Sequence, residues 1–119
     1  MAYDQGLAER IRVALTALRC GFTERKMFGG VNFMVNGHMA CGVLKTELIV
    51  KIPPEKSEEA LARPHVRLFD FTGKPMKGMV CVGPLGTDDQ DSLDGWVERG
   101  VKFAQSQAPK TAKGRVVAS

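Results

Sequence analysis

The stretch Lys26 to Gly42, KMFGGVNFMVNGHMACG, decides the fold, because it holds a glycine pair, a two-residue turn and two runs of alternating apolar character. Asn36-Gly37 is the strongest short-range hairpin signal, since both central residues of a type I′ turn need positive φ. Before it, Val31, Phe33 and Val35 alternate with Asn32, Met34 and Asn36, which is the period of a strand. A two-residue turn then sets Val35 opposite His38, Met34 opposite Met39, Phe33 opposite Ala40 and Asn32 opposite Cys41. One face of such a sheet is apolar and packs on helices; the other is mixed.

Outward from the hairpin the pattern changes in both directions. Upstream, Leu7, Ile11, Ala14, Leu15 and Leu18 recur at helical spacing, with Asp4 placed to cap the first turn and Gly21 to end the helix in a left-handed conformation. Downstream, Glu47 to Ile52 extends the sheet, with Leu48, Val50 and Ile52 inward and Lys51 outward. Pro53-Pro54 then interrupts the strand and opens a short helix through Glu55 to Arg63, which Pro64 stops. Val66 to Phe71 reads as a short strand or an extended loop, Thr72 to Gly78 as a turn-rich link, and Met79 to Val82 as a strand. A last helix follows the acidic group Asp88, Asp89, Asp91, burying Leu93, Trp96, Val97, Val101 and Ala104. Gly100 lies on the same stripe and predicts a close approach there.

Short strand connections exclude an all-parallel sheet. The order predicts a two-layer α+β domain, a mainly antiparallel sheet covered by N-terminal, middle and C-terminal helices. Residues 1–108 are expected to form one domain and 109–119 a flexible basic tail. Lys26-Met27-Phe28-Gly29-Gly30, with a second match at Gly73, Pro75, Met76 and Gly78, resembles the signature of the TfoX N-terminal domain family, related to the Sxy-type regulators of DNA-uptake competence. The resemblance covers roughly residues 4 to 105. It implies the same α+β arrangement and a non-enzymatic regulatory role, through protein contacts, as a transcriptional co-regulator. Similar longer proteins act on DNA-uptake genes together with the cyclic AMP receptor protein, and they carry a further C-terminal domain. The resemblance supplies no catalytic residue and no cofactor.

Charge points the same way. The chain of 119 residues carries a formal +4, but Lys110, Lys113 and Arg115 fall in a tail without acids, leaving 14 basic against 13 acidic residues in the body. A DNA-reading face gathers its cations on one element. Nucleic acid is therefore expected to be met only weakly, through the tail. No apolar run reaches the roughly 20 residues needed to span a bilayer, and the N-terminus lacks a signal-peptide pattern, so the expected location is cytoplasmic and away from membranes. Cys20, Cys41 and Cys81 lack the spacing of a zinc site and read as buried reduced thiols.

The chemical suspects are few. Gly29-Gly30 reads as a structural bend; the alternative is an anion-binding domain in which Lys26, Gly29, Gly30, Lys51, Lys74 and Lys77 cradle a phosphate or small molecule. His38 and His65 read as hairpin and loop residues, with no metal site. Ser57 and Ser92 read as helix caps. On the mixed sheet face Asn32, Met34, Met39 and Cys41, with Ile49 beside them, form a candidate interface for a protein partner or a weak homodimer.

Overall fold

The computed structural model describes residues 3–19, 21–27, 29–69 and 76–107, with Met27, Met76 and Lys77 described for their backbone alone. The first helix, α1 (Gln5–Ala17), starts where Asp4 accepts the Leu7 N–H at 3.0 Å, the expected cap. Its end differs from expectation. The left-handed residue is Arg19, at φ 59°, rather than Gly21, and its N–H bonds Thr16 O. The buried stripe of α1 stops at Leu15 while Leu18 stays 39% exposed, so no packing holds another turn onto the helix.

Among the described residues six antiparallel strands follow in one sheet: β1 (Thr23–Met27), β2 (Gly30–Val35), β3 (His38–Leu44), β4 (Glu47–Lys51), β5 (Val66–Phe69) and β6 (Met76–Val82), in spatial order β1-β2-β3-β4-β6-β5. The β1 sequence TERKM has no apolar alternation to announce a strand. It becomes one by lying at the edge and pairing Thr23 with Met34 through to Met27 with Gly30. Charged side chains suit an edge, because they discourage further pairing. One of them also ties β1 to the helix layer: Arg12 forks onto Glu24 at 2.6 and 3.0 Å, reaches Glu9 at 3.1 Å, and lies over the Phe33 ring.

Asn36 and Gly37 take φ of 56° and 80°, as the hairpin turn requires. Val35 faces His38 and Met34 faces Met39, as expected. The register then slips by one. Ala40 is an extra residue, so Phe33 meets Cys41 rather than Ala40, and Asn32 meets Gly42 rather than Cys41. Such a bulge leaves two consecutive residues on the same side. Ala40 and Cys41 are accordingly both fully buried in the core beneath the helices. Cys41 is therefore on the opposite face from the proposed interface.

The bulge also explains Gly100. Helix α3 (Gln90–Ser106) crosses the sheet here, and a Cβ at Gly100 would run into the Ala40 carbonyl oxygen and lie 2.9 Å from its carbon. The helices among the described residues, α1, α2 (Ser57–Leu61) and α3, lie on one side of the sheet. Leu7, Ile11 and Leu15 from α1, Ala60 from α2, and Leu93, Trp96, Val97, Val101 and Ala104 from α3 share one core with Val31, Phe33, Val43, Leu48, Val50, Val80 and Val82. The two-layer α+β architecture is as expected, with one strand more than the sequence announced and β6 beginning at Met76 rather than Met79.

Both serines assigned to capping act otherwise. Ser57 Oγ, buried, accepts the Gly78 N–H at 2.9 Å and so joins α2 to β6. Gly78 sits at φ 86° where the β5–β6 pairing is irregular, and its carbonyl accepts the Ile52 N–H. At α3 the cap is Asp89, which accepts the Ser92 N–H at 2.9 Å; that hydrogen bond holds the Asp89 carboxyl below its ordinary range.

Candidate functional site

Strand parity divides the candidate residues between two faces. The helix-free face carries a continuous cross-strand row, Arg25, Asn32, Gly42, Ile49, Cys81 and Arg67. Along this row the Asn32 side chain lies over Gly42, where a Cβ would sit 2.6 Å from Asn32 Oδ1. Ile49 and Cys81 are only 3% and 2% exposed, so Ile49 is better protected than expected. Burial pushes the Cys81 thiol up to about 11, which leaves it protonated and unreactive near neutrality. Asn32, Met34 and Met39 are half-buried, with the two methionines opposite one another.

The proposed anion-binding residues are not gathered by the fold. Lys26 pairs with Val31 and so leaves β1 on the helix side, whereas Lys51 pairs with Met79 on the helix-free side, three strands away. Gly29 takes φ 78° in the link between β1 and β2, and Gly30 is buried where a Cβ would meet the Val43 carbonyl. These glycines serve the turn and the close strand approach, opening no helix. Lys74 lies outside the described residues, and the side chain of Lys77 is not described. His65 is an exposed loop residue at φ 66°, and His38 a half-buried hairpin residue. Among the described residues no three His, Cys, Asp or Glu side chains come together as metal ligands.

Two grooves that sequence reasoning missed flank α3. One lies between α2 and α3, about 530 Å³, lined by Lys56, Arg63, Arg99, Lys102 and Phe103. Its cations are largely engaged: Arg99 bonds Glu59 at 2.9 Å, Lys102 pairs with Glu98, and Arg99 and Arg63 lie over Trp96 with their guanidinium carbons 4.9 and 5.6 Å from the ring centre. This stacking covers the indole that the helix stripe turns inward. The other groove, about 490 Å³, runs between α1 and α3. Val13, Ala14, Ala17 and Leu18 give it an apolar wall; Gln90, Asp94 and Glu98 form the facing wall. Neither groove follows from a motif, because each is made by residues far apart in sequence. The only advance signals were Val13, off the buried stripe of α1, and the run of acids from Asp88 to Glu98.

A family model described as the TfoX N-terminal domain matches residues 15–104, from the end of α1 to the last turn of α3. The chain belongs to the TfoX N-terminal domain family. TfoX N-terminal domains are non-catalytic regulatory modules, and the matched span takes in the whole six-stranded sheet with α2 and nearly all of α3. No match was found among curated proteins. Of the signature residues that carried the resemblance, Lys26 is exposed near the end of β1, Gly29 and Gly30 shape the β1–β2 link, and Gly78 donates its N–H to Ser57 Oγ. Phe28, Gly73 and Pro75 lie outside the described residues. Gly29 and Gly30 thus stand where strands turn and approach closely, which is a structural rather than a chemical demand on those positions. No helix among the described residues is long and apolar enough to cross a membrane.

Proposed function

We propose that this TfoX-type domain is a transcriptional co-regulator that works by protein contact, in the manner its family relation to competence regulators suggests. Family membership over residues 15–104 is the observation that carries the reading. Further support is the run of acids Asp88, Asp89, Asp91, Asp94 and Glu98 leading into and along the first half of α3, with no basic residue between them in sequence and Arg10 of α1 beside its start. Such a surface repels the phosphate backbone and suits contact with protein. The test is cross-linking capture of native transcription machinery by the tagged full chain, followed by reconstitution of the complex from purified components. Recovery of a specific, reconstitutable partner is expected; no such partner under conditions that preserve transcription would overturn the reading.

Self-association is a second contact mode, through the helix-free face where Met34 meets Met39. Burying that pair at about 25 cal/mol per Å² supports a weak dimer. Light scattering across a concentration series should show it, and Met34→Lys should abolish it. A strictly monomeric parent would end this proposal.

A further inference from the structure

We infer that the groove between α1 and α3 is a docking site for a basic amphipathic helix of a partner protein. The inference rests on the protein-contact reading above and adds the surface and the partner's chemistry. The groove is built at helical spacing on both sides. Arg10, Val13, Ala14 and Ala17 recur on one face of α1 with Leu18 just beyond its end, while Gln90, Asp94 and Glu98 recur every four residues along α3. Arg10 closes one end by reaching Gln90 Oε1 at 3.3 Å and the Asp88 carbonyl.

The two walls differ in chemistry. Val13 is 58% exposed and Leu18 39% exposed, two of the three large hydrophobic side chains left in water among the described residues. Single exposed apolar residues need no explanation, but two on one groove wall with Ala14 and Ala17 between them make a continuous apolar strip. Opposite, Asp94 accepts a neutral amide from Gln90 at 2.8 Å, so that bond leaves its charge uncompensated. Glu98 meets Lys102 only at an exposed 3.3 Å, and such a pair is readily exchanged for a better cation.

That combination selects the occupant. The lining acids Glu9, Asp94 and Glu98 outnumber Arg10, which disfavours an anionic metabolite, and no buried side-chain polar atom among the described residues lacks a partner that a small ligand could satisfy. The span from Gln90 to Glu98 is about 12 Å at 1.5 Å per residue, so roughly two turns of a docked helix would fill it. Apolar residues at i, i+3, i+4 and i+7 of that helix would cover Val13 and Leu18, and lysine or arginine along one flank would meet Asp94 and Glu98. The charge complementarity governs association rate and choice of partner; the apolar strip supplies the contact that excludes water.

The probe is a fluorescent synthetic peptide of about four turns, with leucine at i, i+3, i+4 and i+7 and lysine elsewhere, titrated into the full chain by anisotropy. Its glutamate counterpart and a version with scattered leucines serve as controls. Val13→Asp and the double variant Asp94→Lys, Glu98→Lys are each expected to weaken binding about tenfold or more, with folding verified by circular dichroism. Raising salt should weaken binding to the parent but not to the charge-reversed variant. Absence of binding, equal binding of the glutamate peptide, or undiminished binding by both variants would overturn the inference. So would tighter peptide binding after deletion of 109–119, which would make the chain's own basic tail the occupant, or dimerisation lost in Val13→Asp, which would make it a second copy. A reconstituted native partner indifferent to both variants would leave the protein-contact reading standing and remove this site alone.

Discussion

Alanine at two glycines of α3 should change stability in opposite directions, and the contrast tests the packing of this helix on the sheet. Gly95 is exposed, and a Cβ there meets nothing within 4 Å. Replacing it relieves the backbone entropy that glycine loses in a helix, so Gly95→Ala should stabilise by about 0.5–1 kcal/mol. Gly100 enjoys the same propensity gain on substitution. Its Cβ, however, would overlap the Ala40 carbonyl oxygen and crowd Val50 at 3.4 Å, and the obstacle is backbone rather than a movable side chain. The helix must then shift off the sheet, loosening the stripe from Leu93 to Ala104. Overpacking of this kind costs about 1–3 kcal/mol, and contact with a carbonyl places it at the upper end. After subtracting the propensity gain, Gly100→Ala should destabilise by about 2 kcal/mol. Urea denaturation of parent and both variants, with unchanged slopes, reads the difference directly. If both variants shift in the same direction, the close approach of α3 to the bulge is refuted.

Three further outcomes follow from individual contacts. Ser57→Ala leaves the buried Gly78 N–H without its partner and should cost about 1–3 kcal/mol by denaturation, with faster amide exchange at Gly78. Its hydrogen bond from Arg12 holds the Glu24 carboxyl below its ordinary value of 4.5, so the clamp stabilises above that pH and is lost as pH falls through the folded-state pKa. Because the pair is one-third exposed, the effect should stay within about 1 kcal/mol, and Glu24→Gln should flatten the acid limb of the stability profile below about pH 4.5. Cys81 should resist iodoacetamide at pH 8 in the folded chain and react after unfolding, with the site read by peptide mass; rapid native labelling of Cys81 would contradict its burial.

Much of the fold was legible because local signals agreed with the tertiary outcome. Asn36-Gly37 dictated the hairpin, Asp4 capped α1, and the stripe from Leu93 to Ala104 faced the sheet as its periodicity required. Gly29 and Gly30 take the structural role expected of them, because a left-handed turn and a close strand approach favour glycine at those positions. What misled was register. The alternation in Val31–Val35 fixes which residues share a face within one strand, but a bulge depends on its neighbours, and Ala40 turned Cys41 from the open face into the core.

The sequence by itself determined the helices, the central strands, the turn and the buried stripes, since these depend on backbone preference and on periods of two and 3.6 residues. Only the tertiary structure made β1 a strand, because TERKM gains its hydrogen bonds by pairing with β2 rather than from any local preference. It also separated Lys26 from Lys51 by placing them on opposite faces, sent Ser57 to Gly78, and set the apolar wall of α1 against the acids of α3. Those arrangements join residues distant along the chain, and what joins them is burial of a shared core, a property of the whole sheet and its helices that no local window contains.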